Sequence, residues 1–166
     1  MNEGGLWMSA GKLIQSLEKL LKLHQHLLEV TLQKTEILKN DQVEDLKELI
    51  KKETMYLQAI KQLEEERVIL TKEYLGSNEE VTLSACIEKA AGTDREKLKV
   101  ILKEFTEIMD KLKTSNSLNK ELTKQALQLN AMTLDMLMPQ ETEINYNKPA
   151  NKTPEKQRRS IFDSKA

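Results

Sequence analysis

The sequence predicts an all-α fold: an elongated antiparallel helical hairpin extended to a bundle of three long helices. Coiled-coil-like packing, one short extra helix and a flexible C-terminal tail complete the expectation. Three observations predict it. The 166 residues include only five Gly and three Pro, with 32% charged and 4% aromatic residues, a composition of strong helix formers with few breakers. Apolar residues recur at alternating three- and four-residue spacing through three long stretches, as one face of a helix requires. The interruptions are short and consist of residue types on which helices start and stop, at Asn40-Asp41, Gly76-Ser77-Asn78, Gly92 and Pro139. A β-sandwich needs a turn signal every 8–12 residues, and a doubly wound nucleotide fold needs Gly-rich strand-to-helix turns. Neither pattern is present.

Residues 1–9 carry Gly4-Gly5 and no periodic pattern, and read as a flexible N-terminus in which Met1 or Met8 is the start. Ser9 is a plausible N-cap. The helical bundle spans residues 10–138. Its first helix runs from about Ala10 to Leu38, with Ile14, Leu17, Leu21, His24, Leu28, Thr31, Thr35 and Leu38 in one row. Leu13, Leu20 and Leu27 widen that row to a bundle face rather than a narrow dimer seam.

Asn40-Asp41 breaks the pattern. The second helix runs from about Gln42 to Leu75, with Leu46, Leu49, Glu53, Tyr56, Ile60, Leu63, Arg67, Leu70 and Tyr74 in its row. So short a joint folds the two helices into an antiparallel hairpin that buries both stripes. Gly76 suits a left-handed C′ position. Thr82 caps a short helix over 83–91, which Gly92 ends. Thr93-Asp94 caps the last helix, about Asp94 to Leu137. Its row is Leu98, Ile101, Phe105, Ile108, Leu112, Ser115, Asn119, Leu122, Ala126, Leu129, Thr133 and Met136. Ser115 and Asn119 put polar side chains into that row, where a kink or a change of partner is expected. Residues 139–166 have no apolar period and cannot bury a core of their own. Their large apolar side chains are Ile144, Tyr146, Ile161 and Phe162.

The formal charge is −1, from 26 Lys+Arg against 27 Asp+Glu. No strong overall field exists to recruit nucleic acid or an anionic membrane. The single Cys86 excludes an intrachain disulfide and fits a reducing compartment. No apolar run reaches the ~20 residues of a membrane span, and no signal peptide is apparent. A cytoplasmic location is the expectation.

Chemistry is sparse. His24 and His26, two residues apart, point to opposite helix faces and cannot share a metal, which needs a spacing of three or four. Cys86 reads as a buried inert thiol. Glu53 and Arg67 interrupt the apolar row of the second helix, with ion-pair partners expected on the first or last helix; a register-fixing polar pair is the other reading. No phosphate loop, nucleophile elbow or Cys cluster is found. No enzyme activity, cofactor or metal is expected. The strongest feature is physical: Met132, Met136 and Met138 lie among Leu129, Leu134 and Leu137. A helix end that is apolar on nearly every side must be covered. Methionine suits a surface that adapts to its partner. The tail that follows can fold over this patch or wrap a client.

At this point the sequence resembles the FlgN-like flagellar type III export chaperones. The likeness is carried by the amphipathic stretch Leu13 to Leu49 with Asn40-Asp41 and Val43-Glu44-Asp45-Leu46, by Leu63-Glu64-Glu65-Glu66-Arg67, and by Asn119-Lys120-Glu121-Leu122, Asn130, Leu134, Leu137 and Pro139 followed by Tyr146. The resemblance implies a non-enzymatic chaperone for hook–filament junction (hook-associated) proteins. It would bind the amphipathic helix at the client's C-terminus, prevent premature assembly and deliver the client to the export gate at the membrane. Carried onto matching positions, the client-binding residues would be Asn119, Leu122, Ala126, Leu129, Met132, Met136 and Leu137. Tyr146 would dock to the export-gate component, with further tail contacts at Ile161 and Phe162. The family pattern has a Gly after that Tyr, where Asn147-Lys148-Pro149 stands here. No nucleic acid or small-molecule substrate is implied. A rival reading is a structural coiled-coil protein that homo-oligomerises through its apolar stripes, and a weak homo-oligomer fits either.

Overall fold

The computed structural model describes residues 3–79 and 81–138, with side-chain placement from residue 10 onward. Within them the chain forms four helices: α1 (Glu3–Lys39), α2 (Val43–Leu75), α3 (Leu83–Lys89) and α4 (Gly92–Leu137). No strand occurs among the described residues. The all-α expectation of three long helices and one short one is met.

α1 and α2 form the antiparallel hairpin. Lys34 of α1 meets Glu53 of α2 at 2.7 Å, His26 stacks on Tyr56, and Tyr74 joins the cluster around Leu13 and Leu17. α4 lies parallel to α1 on its other side. Ala10, Leu13, Ile14 and Leu17 share a cluster with Leu98 and Ile101, and Leu21 and Leu27 share the next one with Ile108 and Leu112. The topology is thus up–down–up, and α1 is the central element. Its backbone approaches both α2 and α4 closely, whereas among the described residues those two do not approach each other to that degree. The central position explains the width of the α1 stripe, which must serve two neighbours on one helix.

Local signals account for most of the joints. Thr82 Oγ1 accepts from the Ala85 amide at 3.2 Å and caps α3. Gly76 adopts φ +69° and its amide donates to the Lys72 carbonyl, closing α2 in the left-handed conformation that glycine adopts without a Cβ penalty. Lys89 then completes that end. Its ammonium donates to the carbonyls of Tyr74 at 2.7 Å and Leu75 at 3.1 Å, placing a cation at the negative end of α2.

Several boundaries differ from the sequence expectation. α1 begins at Glu3 rather than Ala10, so Ser9 lies inside the helix. Two glycines cost about 1 kcal/mol each, but a helix already nucleated by a docked segment extends at low cost. α2 has Gln42 at its N-cap with no side-chain cap bond, because Asp41 instead takes the left-handed turn conformation at φ +56°. α3 stops at Lys89 and α4 starts at Gly92, without Thr93 or Asp94 as cap. Through Thr114-Ser115-Asn116-Ser117 α4 remains continuous and keeps α1 as its partner. Exposed hydroxyls such as Thr114 Oγ1 bond back to their own helix, here to the Asp110 carbonyl. The expected tail, 139–166, lies outside the described residues.

Candidate functional site: the projecting end of α4

The polar residue within the α4 row decides where bundle packing ends. Asn119 is buried, 4% exposed, and faces α1. Its Nδ2 donates to the Thr31 carbonyl at 3.0 Å and its Oδ1 accepts from Thr35 Oγ1 at 2.7 Å. The reverse amide orientation would set two carbonyl oxygens against each other, so the bonds define the side chain's direction. The Thr31 hydroxyl returns to the Leu27 carbonyl at 2.8 Å. Every polar atom of this buried layer therefore has a partner, which is what makes its burial tolerable.

Below that layer α4 outruns its neighbours. Thr35 stands four residues from the end of α1 at Lys39, whereas eighteen residues of α4 follow Asn119. At 1.5 Å per residue, about 20 Å of α4 runs past the end of α1. The same helical face that packs on α1 continues into this projection. Leu122 and Ala126 are half-buried at its root. Leu129 (65% exposed), Met132, Met136 (80% exposed) and Leu137 lie in the open.

At the root, the α1–α2 turn and α4 enclose a cleft of about 380 Å³. Leu38, Leu122, Ala126 and Leu129 supply its apolar lining, and Lys39, Asp41, Gln125 and Asn130 its polar one. Asp41 continues into the acidic first turn of α2, Glu44 and Asp45. Lys39 is paired with Glu36 at 3.0 Å and Lys47 with Glu44 at 3.3 Å. Asp41 and Asp45 have no ion-pair partner among the described residues. The cleft therefore joins an apolar floor to a polar edge at which Asp41 is a carboxylate unpaired among the described residues and Lys39 is already engaged by Glu36.

The structure thus divides the sequence-predicted site residues. Leu129, Met132, Met136 and Leu137 form one exposed surface with Leu122 and Ala126 at its base. Asn119 is sequestered in the layer against α1, where its amide is already used, and an incoming chain would reach it only if α4 separated from α1. Tyr146, Ile161 and Phe162 lie outside the described residues. Sequence reasoning missed Leu127, 60% exposed, because it falls off the row that continues from α1; Leu134, equally exposed, it placed in the apolar patch but not among the client-binding residues. It also missed Leu38 and Asp41, whose part in the cleft depends on how the hairpin turn meets α4.

The remaining candidates are structural. Cys86 is 1% exposed, and burial is the main cause that holds its thiol above the ordinary range, with Arg67 and Lys89 pulling it down. That is the opposite of an activated thiolate. Glu53 pairs with Lys34 across the hairpin as anticipated. Arg67 bonds Glu64 and Thr71 of its own helix rather than α1 or α4. His24 bonds the Leu20 carbonyl and meets Phe105 edge-on. Among the described residues no group of His, Cys, Asp or Glu is placed to hold a metal, and no helix is long and apolar enough to cross a membrane.

Two comparisons with known proteins bear on this arrangement. A family model described as "FlgN protein" matches residues 8–154, which takes in all four helices from early α1 onward and the first part of the tail. The chain is also 39% identical over 160 residues to the uncharacterized protein YvyG of Bacillus subtilis (strain 168), covering 96% of this chain and 100% of that protein. No solved structure matches the chain.

Proposed function

The chain belongs to the FlgN family, a family of flagellar export chaperones, and from that premise we propose that its projecting α4 end holds a client's helix for export. The client in this reading is the C-terminal amphipathic helix of a hook–filament junction protein. The observation that carries the proposal is the apolar end of α4 that runs past α1 below the Asn119 layer, where Leu129, Met132, Met136 and Leu137 are all more than half exposed. Exposed apolar clusters of this kind are interaction surfaces.

The mechanism is helix-in-groove capture. A client helix laid along Leu129, Met132, Met136 and Leu137, with its end at Leu122 and Ala126, would complete the layer that α1 provides higher up. Covering the client's apolar face keeps it from assembling early. The unbranched methionines let one surface accept clients of different shape. Release at the export apparatus calls for moderate affinity, on the order of micromolar to tens of nanomolar. Tyr146 is the proposed contact with the membrane export gate. The protein works in the cytoplasm and binds rather than catalyses.

Calorimetric titration of the full-length chain with a junction protein tests this. Wild type binds, and Leu129→Asp with Met136→Asp abolishes binding while far-ultraviolet circular dichroism is unchanged. Normal binding by that double variant would sink the assignment. The coiled-coil reading is favoured by the same exposed end, and light scattering separates the two: a chaperone stays a monomer or small oligomer until client is added.

A further inference from the structure

The cleft between the α1–α2 turn and α4 has an occupant in the chain itself. We infer that Arg158-Arg159-Ser160-Ile161-Phe162 sits there when no client is bound, with Ile161 and Phe162 on the apolar floor and the two guanidinium groups at the polar edge. The consequence for client binding rests on the function proposed above; the contact itself does not.

Three observations meet at this point. The floor is apolar and concave, formed by Leu38, Leu122, Ala126 and Leu129, and two adjacent large apolar side chains fit about 380 Å³. The edge carries Asp41, with Asp45 in the adjoining first turn of α2, while Lys39 beside it is paired with Glu36; half of the chain's four arginines stand one residue before Ile161-Phe162. Arg pairs with carboxylates through a planar fork, so two in sequence can engage neighbouring acids. Reach is ample. Ala126 lies about 18 Å back along α4 from Met138, whereas the residues from 139 to 158 span up to about 65 Å when extended. Tethering at this length holds the segment at an effective concentration of about millimolar, so a weak contact suffices to fill the cleft.

The segment overlaps the base of the client surface at Leu122, Ala126 and Leu129. A client must displace it, and if the filled state is favoured about tenfold the client's apparent affinity falls about tenfold. The tail would then be released by client binding, which couples loading to the availability of the proposed gate contact at Tyr146.

The test uses the full-length chain with a photoreactive benzophenone amino acid in place of Phe162. Irradiation should give adducts within one chain, mapping to residues 38–41 or 122–130, and excess peptide of a client's C-terminal helix should suppress them. In parallel, Arg158→Glu with Arg159→Glu should tighten binding of that peptide by about tenfold. Adducts between two chains would identify a second copy as the occupant and overturn the inference, as would adducts elsewhere or none. Peptide that binds without displacing the adduct would overturn the competition. If the peptide does not bind any form while the mapped adduct persists, the chaperone site fails and the tail contact stands.

Discussion

Asn119 and Thr35, 84 residues apart in the chain, meet in a buried hydrogen bond of 2.7 Å between α4 and α1. Above this bond the contacts between the two helices are apolar. Below it α1 ends within four residues, its turn into α2 forms the cleft with Leu122, Ala126 and Leu129, and α4 runs on past that turn. The pair fixes the register of two parallel helices whose Leu-rich stripes would otherwise tolerate a slide of one turn, since a slid helix would bury the amide without a partner.

Asn119→Ala should lower unfolding free energy by about 1–3 kcal/mol, because the Thr31 carbonyl loses its cross-helix donor in a buried site. Urea denaturation followed by circular dichroism measures it. A change below about 0.5 kcal/mol, the range of an ordinary surface substitution, would show that the layer is not structurally important.

Stability and binding should separate along α4. Leu98 is 1% exposed and lies in the upper cluster, so Leu98→Ala should cost about 2–5 kcal/mol through lost burial and a cavity. Met136→Asp removes no packing, since Met136 is 80% exposed, and should shift stability by less than about 0.5 kcal/mol while damaging client binding. Thermal melts of both variants decide this. A large loss for Met136→Asp would mean that the α4 end is packed in solution.

Alkaline pH should weaken the upper core. Burial is the largest cause raising the Cys86 thiol above its ordinary 9.0. Burial likewise raises Tyr74 above 10.0, with the charges of Cys86 and Asp94 adding to it. Both groups hold their protons more tightly folded than unfolded. Their contribution to stability is therefore complete below the unfolded values and is lost as pH rises through the folded ones. The urea midpoint should fall as pH rises above about 9, and Cys86→Ala should remove the earlier part of that fall. A midpoint independent of pH over this window would contradict the burial of both groups. The thiol should also react with a disulfide reagent at the rate of unfolding rather than at that of an exposed thiol.

Much of this was legible in the residues. The all-α class follows from the scarcity of Gly and Pro and the three long apolar rows. The Gly76 cap and the Thr82 cap follow from side-chain chemistry within a few residues of each. Leu129, Met132, Met136 and Leu137 were readable as a patch because seven residues with three methionines are apolar beyond what one neighbouring helix can cover. The register of α4 against α1 was less legible: Asn119 read as a polar break or a client contact, and only its reciprocal bonds with Thr31 and Thr35 show it as part of the bundle.

Periodicity, breakers and caps act between residues a few positions apart, so the sequence by itself determined the helices, the hairpin and the apolar character of the last one. How far α4 runs past α1 depends on which residues 84 or more positions apart come level, and no local pattern encodes that offset. Tertiary packing decided it by satisfying one buried amide against α1. The same packing brought the Leu38–Asp41 turn against Leu122 and Leu129 to make a cleft, a product of docking two distant segments that neither shows alone.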